Sequence, residues 1–204
     1  MKENTRVCII GAGLSGLVTA KVLKADGFNV TIFEKESTPG GVWVPSRTYA
    51  GLCVQNPKKA YAFSDFPYPE TSDEFPTARQ AFEYLSSYAQ HFDLETHLNL
   101  STEVLSVALA KEKDRDSHPG FRVTFQPVNN AEDKTTQAFD FLVICNGVFS
   151  KPFIPQVEGR DLFKGSVIHS SHMVDRQMLK GKHVVVVGAG KSALDCASVA
   201  AHEA

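Results

Sequence analysis

Short apolar runs and one amphipathic stretch organise this chain. Arg6–Ile10 (RVCII) is a compact, β-branched apolar run, the pattern of a strand covered on both faces. Glycines at 11, 13 and 16 interrupt it. A helical period follows, with Leu14, Leu17, Val18, Val22 and Ala25 along one stripe. Gly27 is placed to cap that helix at its C-terminus. Asn29–Phe33 reads as a second short strand, with Glu34 at its tip. Strand, turn, helix and strand on this scale predict a βαβ unit.

The middle of the chain alternates between irregular and periodic stretches. Residues 39–45 (PGGVWVP) form a loop. Residues 56–76 are rich in proline, aromatic and acidic side chains and show no clean period. A loop of that length inside a compact domain is usually functional. Thr77 and Gln80 then form a capping box ahead of a helix from 78 to about 92. Its apolar stripe is Ala78, Ala81, Phe82, Leu85, Tyr88, Ala89 and Phe92.

Strands are predicted at 103–110, 121–128 and 139–145, separated by polar loops at 111–120 and 129–137. The first two suggest a meander laid on a parallel sheet. The third is continuously apolar and is expected in that sheet's interior. A proline-spaced linker covers 151–159. A strand at 183–187 leads into a second glycine turn and a helix beginning near Ser192. That helix would carry an apolar face of Ala193, Leu194, Ala197 and Ala200 without evident partners, which predicts an aggregation-prone or partly disordered C-terminal stretch.

Composition narrows the classes. A length of 204 residues suits one large domain, or one domain with part of another. Hydrophobic residues at 43% and charged residues at 22% are ordinary for a soluble globular protein. A net charge of −2 without a dense basic patch argues against nucleic acid. The run KEKDRD (111–116) mixes signs and reads as a solvated loop. Cys8, Cys53, Cys145 and Cys196 form no CxxC pair, so neither a disulfide framework nor a zinc site is suggested. His91, His97 and His172 lack metal-ligand company. The polar N-terminus does not read as a signal peptide, so none is expected, and no window approaches the ~18 apolar residues of a membrane span. A cytoplasmic protein is expected.

The chemistry lies in the glycine turns. In GAGLSG, Gly11 permits the tight turn, Gly13 lets the backbone approach a pyrophosphate, and Gly16 allows close helix–strand packing. The helix N-terminus offers amides and a partial positive charge to phosphates. Glu34 is placed to accept hydrogen bonds from both ribose hydroxyls. GAGKSA repeats the pattern with Gly188, Gly190 and Ala193, and Lys191 and Ser192 could add phosphate contacts. The chain ends before any residue that would distinguish NAD from NADP. Two such turns suggest two dinucleotides and electron transfer between them.

Several motifs in order resemble the flavin-containing (class B) monooxygenases. GAGLSG with Glu34 resembles that family's FAD site, and GGVW (Gly40 to Trp43) its loop beside the flavin. FSDFPYP (63–69), ICNGVFSKPFIP (144–155) and FKGSVIHSSHM (163–173) resemble further family segments. In the last, Phe163, Gly165 and His169 match, whereas Met173 stands where an aromatic is usual. His169 reads either as a structural histidine or as a proton-transfer group. Trp43 can pack, contact flavin, or do both.

The resemblance implies an α/β fold. It has a Rossmann-like FAD-binding domain at 1–155 carrying a meander insertion and expected to be completed by a later return of the chain, so that a fragment of a family member is expected. The linker and start of a second Rossmann-like, NADP-binding domain follow at 156–204. It assigns Gly11, Ala12, Gly13, Leu14, Ser15, Gly16, Glu34, Lys35, Gly41, Val42, Trp43, Val104, Asn146 and Gly147 to FAD. Gly188, Gly190, Lys191, Ser192 and Ala193 go to NADPH. Asn56 is the candidate catalytic residue near flavin C4a, with Gln55 competing because the spacing to Phe63 is one residue short.

The implied reaction is N- or S-oxygenation of a small soft nucleophile with O2 through a flavin C4a-hydroperoxide. The alternatives are a non-catalytic FAD- or nucleotide-binding module and a truncated pseudoenzyme. A disulfide reductase relative is disfavoured because its chemistry needs a redox dithiol.

Overall fold

The computed structural model describes residues 4–110 and 120–204, so the KEKDRD run lies outside the described residues. The chain divides into two compact units, Met1–Val44 with Phe82–Val148, and Pro45–Ala81 with Phe149–Ala204. Residues 45–81, expected within the first domain, therefore cluster with the C-terminal stretch.

In the first unit, β1 (Arg6–Ile10), α1 (Leu14–Ala25) and β2 (Asn29–Phe33) form the expected βαβ element. β1 pairs in parallel with β2, from Arg6 opposite Asn29 to Ile10 opposite Phe33. Its other edge takes β7 (Phe141–Ile144), again in parallel. A two-residue strand, β3 (Leu98–Asn99), extends the sheet beyond β2, giving the order β3-β2-β1-β7. With neighbours on both sides, β1 buries Val7, Cys8 and Ile9, which explains its unbroken apolar run. β7, expected in the sheet interior, instead forms one edge of this sheet, and Ile144 is 63% exposed.

Helix α1 buries Gly16, Leu17 and Ala20, whereas Leu14 and Val22 face outward despite fitting the apolar stripe. It closes with a Schellman pair: the Gly27 N–H donates to Lys24 O and the Phe28 N–H to Leu23 O, both at 3.0 Å.

The meander is a separate antiparallel sheet of three strands: β4 (Thr102–Leu109), β5 (Phe121–Pro127) and β6 (Thr135–Phe139). β6 corrects the expected polar loop at 129–137. Its outward Thr135 and Thr136 hide the strand from a hydropathy reading, and Thr136 pairs with Thr124 through their hydroxyls at 2.9 Å. The inward Val123 and Phe139 join Cys8 and Phe33 in one buried cluster. Phe33 stacks against Phe125 with centroids 4.3 Å apart and meets Phe139 edge-on at 6.1 Å.

Helix α3 (Ala78–His91) starts at the expected capping box: the Gln80 N–H donates to Thr77 Oγ1, and Gln80 Oε1 accepts from the Thr77 N–H at 2.9 Å. Its buried residues Ala81, Tyr84, Leu85, Tyr88 and Ala89 follow the helical period. Lys24 Nζ donates to the carbonyls of Phe92 and Asp93 just past its end, which suits the negative pole of a helix. The division between the units falls inside this helix.

The second unit contains α2 (Lys58–Tyr61), several 3-10 turns and α4 (Lys191–Glu203). Lys58 organises the long irregular loop: its Nζ donates to the carbonyls of Glu70 and Ser72, and its N–H to Glu74 O. Met173, Leu179, Cys196, Val199 and Ala200 form the buried cluster, with Val184 and Val186 packed against it. The face that α4 buries thus shares only Ala200 with the expected one, and Leu194 is 65% exposed. The helix runs unbroken from Lys191 to Glu203, with its partners within the unit. The strand expected at 183–187 is not formed, because no described segment pairs with it. Its alternation survives: Val185 and Val187, 84% and 80% exposed, face away from the cluster that Val184 and Val186 cover.

Among the described residues no helix is long and apolar enough to cross a membrane.

Candidate functional site

The first glycine turn is pressed into the end of the parallel sheet. The Gly11 N–H donates to Phe33 O, and the Cys145 N–H donates to Ile10 O, both at 2.8 Å. The chain therefore leaves β1 between the tips of β2 and β7. Gly11 has φ of 101°, and a Cβ there would run into the Cys145 carbonyl. A Cβ on Gly16 would overlap the Gly11 carbonyl, so only glycine lets α1 begin this close to the strand.

Gly13 is the extended N-cap of α1 and supplies no side-chain cap. The amides of the first turn are then the groups a helix leaves without internal partners. Leu14 and Ser15 are exposed at this point. The following loop closes over the turn: the Gly40 N–H donates to Ala12 O at 2.9 Å, and a Cβ on Gly41 would stand 2.9 Å from Gly13 Cα. Val42 is half-buried beside it and Trp43 is buried.

Glu34 is 7% exposed and is the one buried charged side chain among the described residues. Its Oε2 accepts the Ala12 N–H at 2.8 Å, and its Oε1 accepts the Glu36 N–H at 2.9 Å. A carboxylate has about four acceptor sites, so each oxygen keeps capacity for a ligand hydroxyl. Lys35 is exposed beside it. Asn146 and Gly147 follow β7, and Asn146 Cα lies next to Gly11. Val104 packs its side chain on the Cys8–Phe33–Val123–Phe139 cluster. The same burial pushes the Cys8 thiol up to about 12.

The second turn has the same local backbone. Gly188 has positive φ, and Gly190 is the extended N-cap of α4, with the Ala193 and Leu194 amides donating back to Gly190 O. Its surroundings differ: a Cβ on Gly190 would meet nothing within 4 Å. Ser192 and Ala193 are half-buried. Lys191 pairs its Nζ with Asp195 Oδ2, one turn further along α4.

Asp195 also accepts from the Tyr49 hydroxyl at 2.8 Å, and Cys53 Sγ lies 3.9 Å from Lys191 Nζ. Burial pushes Tyr49 up to about 12, opposed by a hydrogen bond from Ser192 and reinforced by Asp195. Tyr49, Asp195 and Cys53 were not marked by the sequence reading. The i,i+4 spacing of Lys191 and Asp195 was legible, but Tyr49 joins them across 146 residues without a local signal. Gln55 and Asn56 are both exposed, just past the buried Val54.

His169 caps the 3-10 turn Ser170–His172 by accepting the Ser171 N–H at Nδ1, an architectural role. Met173, the departure from the aromatic pattern, is buried in the second unit's cluster. Among the described residues no group of three or more His, Cys, Asp or Glu could hold a metal ion.

The family model for flavin-binding monooxygenase-like proteins matches residues 4–204. The chain belongs to that family. It is 34% identical over 193 residues to a 4-hydroxybenzoate brominase (decarboxylating) of Marinomonas mediterranea, covering 95% of this chain and 36% of that protein. It is 31% identical over 205 residues to the senecionine N-oxygenase of Tyria jacobaeae, covering 94% and 43%. The solved structure of OTEMO in complex with FAD and NADP superposes with a TM-score of 0.80 at 26% identity, covering 98% of this chain and 37% of that one. The chain thus spans well under half the length of these relatives, all along the part that carries both glycine turns.

Proposed function

We propose that this chain is the FAD-binding portion of a flavin monooxygenase joined to the opening of its NADPH-binding domain, divided near residues 1–155 and 156–204. One observation carries the reading. Glu34 is buried at the tip of β2, bonded to the amide of Ala12 inside a turn whose glycines leave no room for side chains. That arrangement fits an adenine dinucleotide. The α1 amides at Leu14 and Ser15 would face its pyrophosphate, and Glu34 would take its ribose hydroxyls. Gly41, Val42 and Trp43 border the same turn and would exclude water from the bound group.

Gly188, Gly190, Ser192 and Ala193 would hold the nicotinamide dinucleotide at α4 in the corresponding way. Asn56 or its neighbour Gln55 would present an amide to the reacting end of the flavin. FAD held there would supply the redox chemistry between NADPH and O2. The substrate class is a soft nucleophile such as an amine or thioether. The name of the senecionine N-oxygenase relative supports the amine, whereas that of the brominase relative shows that neighbouring sequences serve other chemistry.

A second reading has its own support. The open surroundings of Gly190 and the missing ladder at 183–187 favour a flavin-binding module that does not turn over. Reconstitution with FAD followed by NADPH under air separates the two. Bleaching of the flavin absorbance bands, then reoxidation with NADPH consumption, is the result expected of the enzyme. Retained flavin that NADPH never bleaches supports the module, and no retained flavin contradicts both.

A further inference from the structure

Three residues of α4 at four-residue spacing, Lys191, Asp195 and Val199, carry a single loop. Lys191 Nζ lies 3.9 Å from Cys53 Sγ, Asp195 Oδ2 accepts from the Tyr49 hydroxyl at 2.8 Å, and a Cβ on Gly51 would stand 2.7 Å from Val199 Cγ2. Residues 49–53 therefore lie along one helical face. The loop is fixed at its other side as well: the Ala50 N–H donates to Met173 O, and the Val54 N–H to Pro76 O. Directly after it come Gln55 and Asn56.

The Lys191 charge meets Asp195, one turn further along α4, and the loop. A lysine in the first turn opposes the helix dipole, and Asp195 compensates it. Asp195 in turn is shared between Lys191 and the Tyr49 hydroxyl. Lys191, Ser192 and Asp195 all lie in the first turns of α4, directly after the second glycine turn, and Tyr49 reaches them from the loop.

We propose that the Lys191–Asp195–Tyr49 network positions the Gln55–Asn56 segment in response to nucleotide at the second glycine turn. Asp195 is the positioning residue. This rests on the nicotinamide-dinucleotide reading of that turn. A phosphate at the α4 N-terminus draws on the charge of Lys191 and the hydroxyl of Ser192, changes how Asp195 is shared, and so changes how firmly Tyr49 holds the loop. The second glycine turn and the 49–56 loop thereby act as one mechanical unit, with no ligand contact to Asp195 or Tyr49.

The test is hydrogen–deuterium exchange of the intact chain, read on peptides covering residues 48–56, with and without saturating NADPH. Nucleotide should slow exchange there by about fivefold or more in the unaltered chain. Tyr49→Phe, which removes one hydroxyl, and Asp195→Ala should abolish that nucleotide-dependent slowing, whereas Lys191→Arg, which keeps the ion pair, should preserve it. Equal slowing in Tyr49→Phe, Asp195→Ala and the unaltered chain overturns the proposal. NADPH binding, followed by its own fluorescence, without any change at 48–56 overturns the coupling alone. No NADPH binding overturns the nucleotide reading and the coupling together.

Discussion

The two glycine turns are nearly the same structure locally and quite different in their setting. Gly13 and Gly190 are both extended N-caps, with φ of −79° and −83°, each opening a helix of similar length. Around Gly11, Gly13 and Gly16, an added Cβ would meet backbone on every occasion. Around Gly190 it would meet nothing. The strand before the first turn has parallel partners on both edges, while residues 183–187 have none among the described residues. The motif thus encodes a turn, and the enclosing sheet makes the turn a cradle. That difference is the physical contrast between an enclosed turn and an open one.

Substitutions can break this contrast. Gly16→Ala should cost the first unit about 3 kcal/mol of unfolding free energy, because its methyl group would displace the Gly11 carbonyl. Gly190→Ala in the second turn should cost under about 1 kcal/mol, since its φ and ψ suit any residue and the space is open. Urea unfolding of both variants measures the difference, and equal costs would dissolve the distinction between the turns. Glu34→Ala comes next. It strips the acceptors from the Ala12 and Glu36 amides, a loss of about 2 kcal/mol by the same measurement.

Smaller effects sharpen the comparison. Tyr49 is pushed from 10.0 to about 12, so its neutral phenol is the form the fold favours. The stability it contributes is complete below pH 10 and declines as pH rises from 10 towards 12. Tyr49→Phe should flatten that part of the alkaline stability profile, and the difference in absorbance near 295 nm should show one tyrosine ionising around pH 12. In the first unit Cys8, pushed up to about 12 by burial in the sheet, should resist alkylation at pH 8 until the protein unfolds. Half-exposed Cys53 should be labelled well before it. Mass spectrometry of the labelled peptides reads both.

Much of the first unit was legible because its signals are local. Arg6–Ile10, Asn29–Phe33 and the capping box at Thr77 were each written in adjacent residues, and the structure has them at those positions. The position of Glu34 at the tip of a strand was also readable, although its bond to Ala12 was not. What escaped depends on distant partners. β6 has polar outward residues and becomes a strand only through β5. β7 looks like an interior strand, yet a sheet's edge is decided by which other strands exist. The strand expected at 183–187 fails for the converse reason, having the right residues but no strand beside it among the described residues. Tyr49 and Asp195 meet only after the second unit has folded.

The central claim is that two similar turns serve different dinucleotides, with flavin at the first. Titration of FAD into the unaltered chain, Glu34→Ala and Gly190→Ala, followed by quenching of flavin fluorescence, tests it directly. FAD affinity should fall by about tenfold or more in Glu34→Ala, the worth of a lost charged hydrogen-bond acceptor, and stay unchanged in Gly190→Ala. Equal FAD binding by Glu34→Ala and the unaltered chain, or a loss confined to Gly190→Ala, would contradict it.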